Sequence, residues 1–368
     1  MTGIKALVLT ACCVICLDAQ AQQNDGQAAE VTVDPDGTVH VPAYEVPLSI
    51  YMSDEAKRAY IDESLHTPKR EPSDDIATER ESIDRVLLKP LLDKARAAYA
   101  VTIEEKRIGG VQVQVILPAE GVAKQNKDRI LINLHGGGLR VGAGALQLIE
   151  SIPIVGTAKI EVISVGYRLR PEYKFPAACE DIAAVYRELL KRYEPRNIGI
   201  YGSSAGGALA AMSVAWFQKE GLPRPGAIGL LSPGSAVSGG DSRYTAAPLN
   251  PLFGGNKPAP PATPNPPPIG MEPYFLGADL RDPLISPMLH PKVLARFPPS
   301  LLITGTRDFL ASSVIHTHRQ LVRAGVDAEL QVWEGMWHAF YQDVSIPESK
   351  EVYEVMAKFF ATHLGQSH

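Results

Sequence analysis

The stretch Ile198-Gly199-Ile200-Tyr201-Gly202-Ser203-Ser204-Ala205-Gly206 decides how this chain folds. Its first four residues are a short apolar run with strand character, and an Ala-rich helical pattern from Ala205 to Gly221 follows directly. Two residues on either side of Ser204, a glycine removes the Cβ that would obstruct a sharp strand-to-helix turn. Such a turn predicts a Ser204 hydroxyl lifted above a sheet edge at a helix N-terminus. Two helix-capping serines are the plainer alternative, and the strand-turn-helix context favours the turn.

The surrounding chain repeats the same alternation. Short strand patterns are Val111–Ile116, Arg129–Leu134, Val162–Val165, Ala227–Leu231, Ser300–Thr304 and Ala328–Trp333. Helical patterns lie between most of them, at Ala177–Tyr193, Ser312–Gly325 and Ile346–Leu364. Strands that alternate with helices predict an α/β protein, its mainly parallel sheet covered on both faces. The core is expected over residues 100–235 and 281–368. Before it, residues 41–99 read as two or three helices, with Pro90 bending or dividing the pattern from Ser82 to Tyr99.

Residues 236–280 break the rhythm. Pro248 to Pro273 holds ten of the chain's 30 prolines, which excludes a long helix. Composition alone reads as an interdomain linker. However, the single strand-helix-strand unit after it is too small to fold alone, so the segment is expected to be an insert in one domain.

The 368 residues carry a net charge of -5 and no Lys/Arg-rich run, which argues for a small-molecule partner and against nucleic acid. Residues 1–21 combine Lys5, an apolar run from Ala6 to Leu17 and the small-x-small pattern Ala19-Gln20-Ala21. The run is too short for a stable membrane span and predicts a signal peptide cleaved after Ala21, hence a periplasmic or secreted protein. Leu9-Thr10-Ala11-Cys12 resembles a lipoprotein box, but the apolar run continues past Cys12. Cys12, Cys13 and Cys16 fall inside the signal, leaving Cys179 alone in the mature chain, so no disulfide forms within it. Residues 22–40 read as a flexible polar segment.

A serine hydroxyl needs a base within hydrogen-bond reach to act as a nucleophile near neutral pH. His338, in Glu334-Gly-Met-Trp-His-Ala-Phe340, follows the last strand and is expected at the carboxyl edge of the sheet. Of the others, His316 and His318 lie in a helical pattern, His363 lies near the chain end and His290 precedes a proline. Asp308, in Gly305-Thr-Arg-Asp-Phe-Leu310, follows the preceding strand and is the carboxylate placed to fix the imidazole tautomer. Helix capping is the simpler reading of Asp308 and is compatible with that role. His135-Gly136-Gly137-Gly138 follows the strand ending at Leu134. Its glycines let the amides of Gly137 and Gly138 join that of Ala205 around a developing oxyanion. His135 is expected to orient this loop. A phosphate loop would require a following Gly-Lys-Ser/Thr, which is missing. No metal site is expected.

Together these motifs resemble the hormone-sensitive-lipase-like branch of the α/β-hydrolase fold, the bacterial family IV esterases. The resemblance rests on His135–Gly138, on Gly202–Gly206 and on the order Ser204, Asp308, His338. It rests also on Tyr167–Ala178 with Asp181, and on Asp282–Pro287. It implies a cap made of the N-terminal helices and the 236–280 insert. It also implies hydrolysis of short- to medium-chain acyl esters through an acyl-enzyme, without a cofactor. Four features depart from the branch. Ser203 stands where it usually has an acidic residue, and Leu139-Arg140 follows the glycines where an aromatic residue is common. Ala311-Ser312-Ser313 replaces a second carboxylate, and the insert is unusually proline-rich. Leu139 and Arg140 are candidate substrate contacts, and an Arg140 guanidinium beside the oxyanion loop would favour substrates carrying a carboxylate. A solvated surface arginine is the simpler reading. A lactonase, amidase or peptidase on the same scaffold is the main alternative. A non-catalytic ligand-binding homologue, like the plant gibberellin receptors that resemble this branch, is disfavoured because it lacks the histidine found here at 338.

Overall fold

Apolar residues alternate along the central strands in a way that gives both faces of the sheet something to bury. Ile130, Ile132, Ile163 and Ile200 pack into one layer, and their neighbours Leu131, Val162 and Tyr201 into the other. Both layers being apolar is what a sheet covered on both sides requires. The structure, a computed structural model, describes residues 30–66, 75–234, 239–251 and 272–366. The expected signal segment 1–21 lies outside the described residues, as do parts of 22–40 and of the 236–280 insert.

Eight strands form the main sheet: β1 (Val101–Ile108), β2 (Val111–Pro118), β3 (Ile130–Leu134), β4 (Glu161–Val165), β5 (Ile198–Ser203), β6 (Ala227–Leu231), β7 (Ser300–Arg307) and β8 (Ala328–Trp337). Their order is β1-β2-β4-β3-β5-β6-β7-β8. β1 pairs antiparallel with β2, and β2 antiparallel with β4; all other pairings are parallel. Strand order reverses direction around β3, so the loops leaving β3, β5, β7 and β8 gather at the carboxyl edge, where open α/β sheets form their sites. The strand β1 was not expected from the sequence. Its Glu104-Glu-Lys-Arg107 run suits an exposed edge strand but hides the usual alternation.

The longer helices among the described residues are α1 (Asp54–His66), α2 (Ile76–Ile83), α3 (Lys89–Ala98), α4 (Ala145–Ala158), α5 (Ala177–Leu189), α6 (Ala205–Lys219), α7 (Ala311–Arg323) and α8 (Pro347–His363). Ile182 of α5 and Leu209 of α6 join one layer; Ile152 of α4 and Val352 of α8 join the other. Pro90 lies in the first turn of α3, directly after a π-helical turn over Asp84–Leu88, and the backbone stays helical through Leu88 and Lys89. Residue Tyr60 of α1 joins two other parts of the chain. Its ring lies 5.5 Å from that of Trp337, and its hydroxyl donates to the Leu249 carbonyl of the insert at 2.6 Å.

Residues 30–47 behave as a separate small unit. Within it Thr32–Val33 pairs antiparallel with Val39–His40, where the sequence predicted a flexible stretch. Asp36-Gly37 supplies the turn, with Gly37 at φ 87.

Candidate active site

The elbow is built by close packing. A Cβ at Gly202 would overlap the Gly206 carbonyl oxygen, and one at Gly206 would overlap that of Leu134. Only glycines let β5, α6 and the end of β3 approach this closely. Between them Ser204 is held at φ 54, ψ -116, a conformation that costs a non-glycine residue about 1–3 kcal/mol. The strain is held in place from β6, whose Leu231 carbonyl accepts the Ser204 amide at 2.8 Å.

The structure brings the three expected side chains together. His338 Nε2 lies 3.0 Å from Ser204 Oγ, and His338 Nδ1 lies 2.8 Å from Asp308 Oδ1. His338 follows β8 directly, and Ala339 at φ 61 turns the chain into a short 3-10 turn. Asp308 is fully buried and further held by the Leu310 amide at 2.9 Å and the Thr304 hydroxyl at 2.9 Å. Burial alone would raise its carboxyl; the His338 charge and hydrogen bond, with the Leu310 amide, outweigh burial and hold it below the usual aspartate value. The Phe309 ring covers the imidazole with centroids 4.4 Å apart. An ionised, fixed carboxylate behind a histidine that meets a serine is the arrangement that activates the hydroxyl as a nucleophile.

The loop after β3 brings His135–Gly138 beside the elbow. A Cβ at Gly136 would lie 3.6 Å from Ser204 Cβ, so loop and nucleophile are in contact. Gly137 adopts φ 100, and a side chain there would overlap the Val141 carbonyl. His135 is fully buried, with Nδ1 2.7 Å from the Gly136 carbonyl oxygen and its ring stacked 4.5 Å from that of Tyr167. Burial pushes the imidazole down to about 4, so it stays neutral. The Tyr167 hydroxyl donates to the His135 carbonyl at 2.6 Å, which ties the Tyr167–Ala178 motif to this loop.

Two expectations for the loop are corrected. Leu139, at φ 58, buries its side chain in the core layer. The Arg140 guanidinium is neither free nor simply solvated, because it forms an ion pair with Glu79 of α2. Arg80 of α2 completes the junction. It donates to the carbonyls of Arg140 at 2.8 Å and Arg170 at 3.0 Å and pairs with Glu172 at 2.7 Å. Partly exposed pairs of this kind contribute about 1 kcal/mol or less each, so their value here is in seating α2 against the loop that follows His135–Gly138. The sequence reading missed Glu79 and Arg80. Nothing local marks them, since their partners lie 60 to 92 residues away. Ser203 is buried and shares a 2.6 Å hydrogen bond with the Tyr341 hydroxyl, just past His338.

Among the described residues, no group of three or more His, Cys, Asp or Glu could hold a metal ion, and no helix is long and apolar enough to cross a membrane. Cys179 is buried in the core, and burial pushes its thiol up to about 12.

Comparison with known proteins points the same way as the geometry. A sequence model of the α/β-hydrolase fold matches residues 131–342. An acetyl-hydrolase of Streptomyces hygroscopicus is 29% identical over 252 residues, 67% of this chain and 81% of that protein. The crystal structure of esterase E25 superposes with a TM-score of 0.72 at 30% identity, covering 88% of this chain and 98% of the other. That of an esterase from the bacterial hormone-sensitive lipase family gives a TM-score of 0.69 at 27% identity, covering 85% and 99%.

Proposed function

Because this chain belongs to the α/β-hydrolase fold family and is a carboxylic ester hydrolase of the hormone-sensitive-lipase-like kind, we propose that Ser204, His338 and Asp308 are its catalytic triad. The observation that carries the proposal is the 3.0 Å contact between Ser204 Oγ and His338 Nε2, backed by the 2.8 Å bond from His338 to buried Asp308. In this reading His338 takes the Ser204 proton as Oγ attacks the ester carbonyl. The amides of Gly137, Gly138 and Ala205 hold the oxyanion of the tetrahedral intermediate. That intermediate collapses as His338 protonates the leaving alcohol, leaving the acyl group on Ser204. Water, deprotonated by His338, then attacks the acyl-enzyme; the second intermediate releases the carboxylic acid and returns the proton to Ser204.

The proposed substrates are esters of short- to medium-chain acids. The similarity to an acetyl-hydrolase supports the short end. We read α1–α3 and the described part of the insert as a cap that limits acyl length; the contacts of Tyr60 with Leu249 and Trp337 support that reading. The expected result in a p-nitrophenyl ester series is a maximal kcat/KM between acetate and hexanoate, at least about 100-fold above palmitate. Lactones and anilides in the same assay separate the alternative reactions. A maximum at palmitate, or a higher kcat/KM on anilides than on esters, contradicts this reading.

A further inference from the structure

Glu150 lies in the middle of Leu148-Ile-Glu-Ser-Ile152 on α4, a run otherwise built for the core, and is 2% exposed. A carboxyl in that position is unfavourable unless its oxygens are matched. Its Oε1 accepts the Gly136 amide at 3.1 Å and the Gln342 side-chain amide at 3.0 Å, while Oε2 faces the Asn133 amide at 3.4 Å. The Ser203 hydroxyl also meets this carboxyl and shares its 2.6 Å bond with Tyr341. One side chain therefore touches the start of the oxyanion loop, the residue before the nucleophile and the turn after His338.

We propose that Glu150 is a positioning residue that locks the oxyanion loop and the His338 turn in register with the nucleophile elbow. The inference rests on the catalytic reading of Ser204 and His338. It also accounts for Ser203: a carboxyl from α4 meets the position where an acidic neighbour of the nucleophile would stand.

The lock has a pH signature. Burial pushes the Glu150 carboxyl up to about 8, against the hydrogen bonds from Gly136, Asn133, Gln342 and Ser203, so it is mainly uncharged at neutral pH. Around it, burial raises the phenols of Tyr201 on β5, Tyr353 on α8, and Tyr167 and Tyr341 in the loops. His135 beyond β3 stays neutral, and the Asp308 carboxylate faces Tyr341. Glu150 is thus the member of this cluster that changes charge between pH 7 and 9. Its ionisation places a negative charge behind amides that must hold an oxyanion, which weakens transition-state stabilisation.

The test compares wild type with Glu150→Leu and Glu150→Gln, measuring kcat and KM for p-nitrophenyl acetate from pH 6 to 10, corrected for spontaneous hydrolysis, together with circular dichroism. Glu150→Leu is expected to lose about 100-fold in kcat with KM changed less than threefold, the size of effect seen when one oxyanion donor is lost. Glu150→Gln is expected to recover kcat to within about threefold at pH 7. Wild type should lose kcat through an ionisation near pH 8, and Glu150→Gln should not. A folded Glu150→Leu with wild-type kcat overturns the proposal. If that variant does not fold, the decision rests on Glu150→Gln, and an alkaline loss shared with wild type overturns it. Ser204→Ala in the same assay keeps the two questions apart: activity there above about a hundredth of the wild-type rate rejects the catalytic reading itself, whereas a Ser204→Ala below that level beside a fully active Glu150→Leu rejects only the role of Glu150.

Discussion

Replacing Ser204 with alanine is expected to lower kcat for p-nitrophenyl acetate by about 10⁶-fold, equivalent to about 8 kcal/mol of transition-state stabilisation. Alanine keeps the Cβ and loses only Oγ, the atom 3.0 Å from His338 Nε2. The strained φ of 54 is imposed by Gly202, Gly206 and the Leu231 carbonyl, none of which touches the removed atom, so the elbow should survive. Stability should therefore stay within about 1 kcal/mol of wild type, measured by thermal unfolding. Slow residual catalysis over water is expected, because the oxyanion amides remain. A purified Ser204→Ala enzyme, free of host esterases, that still hydrolyses the ester at more than a hundredth of the wild-type rate contradicts the assignment.

The second large effect belongs to Asp308→Asn, for which a loss of about 10⁴-fold in kcat is expected. Asp308 Oδ1 accepts from both His338 and the Leu310 amide, and Oδ2 accepts from the Thr304 hydroxyl. An asparagine whose NH₂ points at His338 forces the imidazole into the wrong tautomer, with Nε2 protonated and unable to accept from Ser204. Turned the other way, it keeps the tautomer but lacks the charge that steadies the imidazolium in the transition state. Either orientation is costly. Because the folded protein holds the Asp308 carboxyl below its ordinary value near 4, the ionised group contributes stability above that value and loses it as pH falls through the folded value. The stability gap between wild type and Asp308→Asn should then narrow as pH falls into the acid range. Kinetics at pH 7 and urea unfolding across the acid range check both parts. A kcat within tenfold of wild type contradicts the role given to Asp308.

Much of the site was legible because its chemistry sits at strand ends, and strand ends are what apolar runs bounded by glycine mark best. Ser204, Asp308, His338 and the His135–Gly138 loop are each defined by a few consecutive residues. What stayed hidden was either masked by composition or made by distant partners. The edge strand β1 is half charged, so its pairing with β2 overrides its local pattern. The helix α4 is apolar nearly all round and contains Pro153, which leaves no 3.6-residue period to read. The partner of Arg140 stayed hidden because Glu79 lies 61 residues earlier. Glu150 did leave a signal, a carboxylate inside an apolar helix, and such a residue has to be partnered somewhere.

The most direct test of the central claim is covalent. Wild-type enzyme treated with a fluorophosphonate and digested should show one adduct by mass spectrometry, on the peptide containing Ser204. Labelling should be absent in Ser204→Ala and much slower in Asp308→Asn. An adduct on another residue, or ester hydrolysis that continues in a protein whose Ser204 is fully modified, would contradict a mechanism in which His338 activates this hydroxyl.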